Sequence, residues 1–245
     1  MPNEIKDQAL LALLRRGAMR SSDLIAQITD YHGGPVTTEY MITSDIAREL
    51  IERNYEVEVE FLNRKMVNGL TMRRSGPRVK KFGSQRTDVA VLKDKIIPLV
   101  IIEVKIGVKT LNAIKEDLLK ITDTIRSLKP QYASRVRGAS VFQVHVAGSA
   151  SRYNKEHLKA AIKKVERCLR DELKAHEKTN ADFRFGFHAF QTADQGIVPR
   201  ELEPDGDNFA WGQHGHATRY YAVLIHSKQS VPPAPRTFAQ LKAQS

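Results

Sequence analysis

The chain has 245 residues, of which 41% are hydrophobic and 27% are charged, so it can bury a substantial core. Its 39 lysine and arginine residues against 28 aspartate and glutamate residues give a formal net charge of +11. This excess of positive charge predicts an anionic partner, and it favours a nucleic acid over a negatively charged membrane surface. The one cysteine, Cys168, excludes a disulfide framework and a cysteine zinc cluster. The polar amino terminus and the lack of a long apolar run predict a cytoplasmic protein with no membrane segment.

Residues 1–30 predict an N-terminal helical extension. Apolar side chains follow one helix face over residues 3–16, and Gly17 stands where a helix would end. Ser21 or Ser22 would then cap a second short helix. Two short helices with a tight turn are either half of a helix-turn-helix or a plain packing unit. No recognition helix is evident, which favours packing.

A third helix is predicted from Thr37 or Thr38 to about Arg53, near the start of the main domain at residues 31–230. Its predicted buried face consists of Tyr40, Ile46, Ala47, Leu50 and Ile51. Glu39 lies at one end of that face. Two interpretations are equally open for Glu39: a solvated carboxylate that complements the helix dipole, or a side chain that reaches a site beyond the helix.

Residues 55–61, YEVEVEF, alternate glutamate with apolar residues and predict a half-exposed strand. The segment 63–86 that follows is the densest basic part of the chain, and it leads directly into Asp88. Beside a site at Asp88, this segment would form an electrostatic groove for phosphates. Its predicted nucleic-acid contacts are Arg73, Arg74, Arg78, Lys80, Lys81 and Arg86. A charge-rich hairpin with no ligand is the alternative.

The next stretch predicts two neighbouring strands, Thr87–Leu92 and Ile96–Ile106, joined by a turn at Lys93–Lys95. The second strand is rich in isoleucine and valine on both faces, apart from Pro98 near its start. This pattern is typical of a central strand that is covered on both sides.

Charged residues interrupt this apolar pair of strands. Glu103 and Lys105 share one face of the second strand, and Asp88 lies in the first. Such groups are costly to bury unless they pair or bind something. Two carboxylates suit Mg²⁺, with Mn²⁺ as a substitute and the Val104 carbonyl as a further oxygen ligand. Lys105 would orient or deprotonate a water, or stabilise charge on phosphorus. The alternative is a simple ion pair at a strand end.

The rest of the chain alternates helices and strands. The predicted elements are a helix at Leu111–Leu128, a strand at Ala139–Val146, a helix from Asn154 to about His176, and strands at Phe183–Phe190 and Thr218–His226. A polar loop with Pro199 and residues 213–216 would join the last two strands. Residues 231–245 predict a flexible tail. Lys120 in the first of these helices is either a phosphate contact or a solvated lysine.

Asp88 on one strand and Glu103-Val104-Lys105 at the end of the next resemble the motif of the PD-(D/E)xK nuclease superfamily. The resemblance covers about residues 38–146, and Thr87 stands where the motif has proline. It implies an α/β protein with a restriction-endonuclease-like core (αβββαβ) and a mixed central sheet. Here that core would carry an N-terminal helical extension and extra C-terminal strands. The resemblance also implies that Glu39 joins Asp88, Glu103 and Lys105 as a catalytic residue.

We therefore expect a Mg²⁺-dependent endonuclease-type phosphodiesterase that acts on DNA, with RNA left open. Asp88, Glu103 and Val104 would hold the metal, and Lys105 would manage the attacking water. One alternative is a non-catalytic nucleic-acid-binding module with a nuclease-like fold. Another is an interaction protein, such as a subunit of a DNA repair or phage-defence complex, whose basic face meets an acidic protein. The sequence also leaves a homodimer open.

Overall fold

The computed structural model describes residues 5–28, 39–63, 65, 85–149, 155–201 and 211–228. In these ranges the chain forms five helices and six strands. The helices are α1 (Asp7–Ile28), α2 (Glu39–Ile51), α3 (Asn112–Ser127), α4 (Pro130–Ala133) and α5 (Lys155–Thr179). The strands are β1 (Glu56–Leu62), β2 (Arg86–Lys93), β3 (Ile97–Lys105), β4 (Arg137–Ser149), β5 (Phe183–Glu201) and β6 (Trp211–Ser227). No helix within these ranges has the length and apolar character needed to cross a membrane.

The six strands form one mixed sheet in the order β1-β2-β3-β4-β6-β5. Neighbouring strands are antiparallel except β3 and β4, which are parallel. A parallel pair needs a crossover connection, and α3 and α4 provide it. The predicted α/β class with a mixed central sheet is confirmed.

Strand β3 lies inside the sheet and is covered on both faces. All of its residues from Pro98 to Val104 are buried, as its apolar sequence predicts. On one face Ile101 packs in a core with α3 and α5. On the other face Ile102 and Val104 pack in a second core with α1 and α2. Both β3 and the buried Glu103 that it carries are therefore held between two layers of helices.

The turn between β2 and β3 lies at residues 94–96, one residue later than the predicted Lys93–Lys95. Asp94 and Lys95 have φ values of 53° and 61°, the left-handed conformation of the two central residues of a type I′ turn, and the Ile96 N–H donates to the Lys93 carbonyl at 3.3 Å. Pro98 pairs with Leu92, and the register shifts next to that pair. This irregularity accommodates a proline, which has no N–H to donate to the ladder.

The prediction of two short helices in residues 3–28 is wrong, because α1 is one continuous helix. Gly17 lies in its middle, where α1 crosses α2. A Cβ atom at this position would stand 2.7 Å from the Cα of Ile46. Glycine is therefore present for the close approach of two helices and not for a helix end. Ser21 caps no helix; its hydroxyl donates to the Asp45 carboxylate at 2.6 Å.

The helix predicted before β1 is confirmed as α2, but part of its predicted buried face is wrong. Tyr40 is 69% exposed and Ile51 is 55% exposed, since both lie at the ends of the helix. The residues that α2 does bury are Ile42, Thr43, Ile46, Ala47 and Leu50. The buried face of α2 therefore runs from Ile42 to Leu50.

The last two strands are longer than predicted. The predicted loop positions Pro199 and Gln213 are paired with each other in the ladder between β5 and β6. Strand β6 also pairs with β4 as far as His214 opposite Ser149. Hydrogen bonding on both sides of β6 holds this polar sequence in a strand despite its weak β propensity. The predicted elements that became α3, β4 and α5 are confirmed, while the predicted tail, residues 231–245, lies outside the described residues.

Candidate active site

Asp88 and Glu103 approach each other across the antiparallel pair of β2 and β3. Val89 pairs with Ile102, so Asp88 and Glu103 are the next residues on the two strands and lie opposite each other at that end of the ladder. The Oδ2 atom of Asp88 accepts a hydrogen bond from the backbone N–H of Val104 at 2.7 Å. The Asp88 side chain is thus fixed against the backbone beside Glu103. Burial raises the pKa of Asp88, and this hydrogen bond partly opposes the rise.

Glu103 has a buried side chain, and one of its two carboxylate oxygens has no hydrogen-bond partner among the described residues. Its side chain is 2% exposed, and its Oε2 atom accepts a hydrogen bond from Lys120 Nζ at 2.6 Å. Its Oε1 atom is buried and, among the described residues, receives no hydrogen bond. Burial raises the pKa of Glu103 to about 8, against the attraction of Lys120 and with a further contribution from Asp88. A buried acceptor without a donor is costly, so this oxygen requires an explanation.

Lys105 pairs with Glu39 and not with Glu103. The Lys105 Nζ and Glu39 Oε1 atoms are 3.0 Å apart, and the two side chains are 40% and 42% exposed. This contact joins the end of β3 to the first residue of α2. The hydrogen bond to Glu39 raises the pKa of Lys105, and the charges of Asp117 and Asp88 add to the rise. Lys105 is therefore a cation in this arrangement, which suits charge stabilisation better than proton abstraction.

Asp117 is a further acidic residue of the site, and its sequence pattern did not predict this. Its Oδ2 atom is buried and, within the described part of the chain, has no hydrogen-bond donor. Burial raises the pKa of Asp117 to about 6, Lys105 and Lys120 oppose the rise, and Asp88 adds to it. The sequence feature that could have identified Asp117 is its position on α3, three residues after Ile114 at the border of the apolar stripe.

Two of the predicted nucleic-acid contacts, Arg86 and Lys120, belong to the described residues. Arg86 is exposed at the start of β2, and its Nη1 atom lies 3.7 Å from Glu60 Oε2. Lys120 is mostly buried against Glu103 and is not open to a phosphate in this arrangement. The other five predicted contacts, Arg73, Arg74, Arg78, Lys80 and Lys81, lie outside the described residues.

The described residues contain no group of three or more histidine, cysteine, aspartate or glutamate side chains arranged to hold a metal ion. The pair of Asp88 and Glu103 nevertheless fits a hard cation. Glu103 contributes a buried oxygen that has no donor in the described part of the chain, and Asp88 has a second carboxylate oxygen beside the one bound to Val104. Mg²⁺ commonly takes only one or two protein carboxylates and completes its shell with water and phosphate oxygens.

Charge balance around the site favours the same ligand. The carboxylates of Asp88, Glu103 and Asp117 interact with one another, and Glu39 interacts with Asp88 and Asp117. Among the described residues, the ammonium groups that act on this group are those of Lys105 and Lys120. With every described group ionised, negative charge exceeds positive charge in this part of the site.

Comparison with protein-family models, with curated proteins and with solved structures finds no match for this chain. The assignment of a function therefore depends on the site itself.

Proposed function

We propose that this chain is a Mg²⁺-dependent nuclease that hydrolyses phosphodiester bonds in DNA, with the site at the end of β3. One observation carries the proposal: the buried Glu103 carboxylate, which interacts with Asp88, keeps an oxygen that no described residue hydrogen-bonds. Because an unsatisfied buried carboxylate is expensive, its retention favours a ligand that compensates it. A divalent cation is the simplest ligand with the right charge.

In this proposal each charged side chain has a separate role. Asp88 and Glu103 would hold the metal ion, with the Val104 carbonyl as a further ligand. A bound Mg²⁺ would act as a Lewis acid toward a phosphate oxygen and would lower the pKa of a bound water. Lys105, held protonated by Glu39, would stabilise the negative charge that develops on the phosphate. Glu39 would thereby position Lys105 and would not itself contact the metal.

The order of elements supports a restriction-endonuclease-like core. From α2 to β4 the described chain runs through a helix, three antiparallel strands, a helical crossover and a parallel strand. This is the order that the resemblance to the PD-(D/E)xK superfamily implies. The candidate carboxylates lie on its second and third strands. Fold order alone does not establish a reaction, so the site chemistry remains the main support.

The choice of a nucleic acid as substrate follows from charge. The chain carries a formal +11, and its densest basic segment directly precedes Asp88 in the sequence. A polyanion would be drawn to such a segment, with an affinity that falls as salt rises. The acidic site itself would repel a phosphodiester without a cation, which is the physical reason for a metal requirement.

The proposal is tested by incubating linear, circular and branched DNA, and RNA in parallel, with the protein in Mg²⁺ or Mn²⁺. Glu103→Gln and Lys105→Ala should each lower the cleavage rate by roughly 10²–10⁴-fold, the usual contribution of such groups. Lys109→Ala and Glu116→Gln are matched controls, since both residues are exposed and close in sequence to the site. They should cut at the wild-type rate.

The other outcomes favour the alternatives. DNA binding without cutting in any metal would favour a non-catalytic nucleic-acid-binding module. An absence of salt-sensitive binding to DNA and RNA would favour an interaction protein. Equal cutting by wild type, Glu103→Gln and Lys105→Ala would refute the site assignment while leaving nuclease activity in place.

A further inference from the structure

Lys120 occupies a position that the sequence did not predict. Its ammonium group donates to Glu103 Oε2 at 2.6 Å, and only 20% of its side chain is exposed. It belongs to α3, whereas Glu103 belongs to β3, so this ion pair crosses from the helical layer to the sheet. A cation bound by Glu103 would meet the Lys120 ammonium at the same carboxylate. Two positive charges at one buried carboxylate repel each other strongly, so Lys120 needs a second partner.

The same helix contains that second partner. Asp117 precedes Lys120 by three residues, a spacing that puts both side chains on one side of α3. The buried Oδ2 atom of Asp117 has no donor among the described residues, and Lys120 already attracts its carboxylate. The lysine stem is long and flexible, so its ammonium group can change partners without movement of the backbone.

We propose that Lys120 exchanges partners: its ammonium group donates to Glu103 in the metal-free protein and moves to Asp117 when a divalent cation binds Glu103. This inference rests on the proposed metal site and gives Lys120 and Asp117 positioning roles in it. In the metal-free state Lys120 supplies a hydrogen-bond donor to the buried carboxyl group of Glu103. In the metal-bound state Asp117 holds the displaced ammonium group away from the metal. Lys120 is accordingly an internal counterion and not a phosphate contact.

The test is a double-mutant cycle on Mn²⁺ affinity, measured by isothermal titration calorimetry in the absence of DNA. The four proteins are the wild type, Asp117→Asn, Lys120→Met and the double variant, with Glu116→Gln as an exposed acidic control on the same helix. Asp117→Asn should raise the Mn²⁺ Kd by roughly tenfold when Lys120 is present. It should change the Kd by less than about twofold when residue 120 is methionine. Far-UV circular dichroism establishes that each variant is folded.

Three results would overturn the inference. Equal weakening by Asp117→Asn in both backgrounds would make Asp117 a direct metal ligand. No effect of Asp117→Asn in either background would leave it without a role in metal binding. Absence of saturable Mn²⁺ binding to the wild type would remove the metal site and the inference together. In contrast, the expected coupling without DNA cleavage would support the exchange while refuting the nuclease.

Discussion

Glu103 should govern a large part of how the stability of this protein depends on pH. Its pKa is about 8 in the folded protein, where burial disfavours the charged form, against 4.5 as its ordinary value. The folded state therefore holds a proton between these limits that the unfolded chain releases. A group with a raised pKa contributes stability that is greatest below about pH 4.5 and is lost as the pH rises to about 8. Above that pH the loss is complete and constant.

The size of the effect follows from the same two values. They differ by about 3.5 pH units, and each unit corresponds to about 1.36 kcal/mol. The full change in the free energy of unfolding is therefore on the order of 3–5 kcal/mol, a large fraction of the stability of an ordinary domain. Glu103→Gln keeps the shape of the side chain and removes its ionisation, so the difference between the two proteins isolates this one group.

The measurement is urea-induced unfolding of both proteins from about pH 5 to about pH 9, followed by far-UV circular dichroism. The wild type should lose stability relative to Glu103→Gln steadily up to about pH 8 and by a constant amount above it. Other titrating groups are common to both proteins, and the exposed Glu116→Gln variant should run parallel to the wild type. A difference that stays constant to within about 1 kcal/mol, or that grows in favour of the wild type, would refute the assignment of a raised pKa to Glu103.

Two further predictions concern packing and ion pairing. Gly17→Ala should lower the free energy of unfolding by about 1–3 kcal/mol although alanine is the better helix former, because its Cβ would stand 2.7 Å from the Cα of Ile46. Thermal denaturation measures this, and a rise in Tm would mean that the two helices do not cross there. Arg126→Lys should cost about 1 kcal/mol, because lysine cannot reproduce the two 2.9 Å hydrogen bonds of Arg126 to Asp182 or its contact with the Phe183 ring. Urea unfolding at neutral pH measures this cost, and equal stability of the two proteins would contradict it.

The sequence by itself determined the central part of the fold. The apolar run from Ile97 to Val104 requires cover on both faces, and the alternation of side chains puts Glu103 on one defined face. The short polar turn before it makes β2 and β3 neighbours, which brings Asp88 to Glu103. These inferences hold because strand period and hairpin geometry are local properties of the chain.

Only the tertiary structure decided how the charges pair. The sequence puts Lys105 two residues from Glu103, yet Lys105 pairs with Glu39, and Lys120, 17 residues from Glu103 in the chain, takes the buried carboxylate. Asp117 enters the site for the same reason. Which cation reaches which carboxylate depends on the distance between packed layers, and no local periodicity encodes that distance. The sequence pattern likewise predicted a helix end at Gly17. Only the packing of α1 against α2 shows that this glycine is needed for the close approach of two helices.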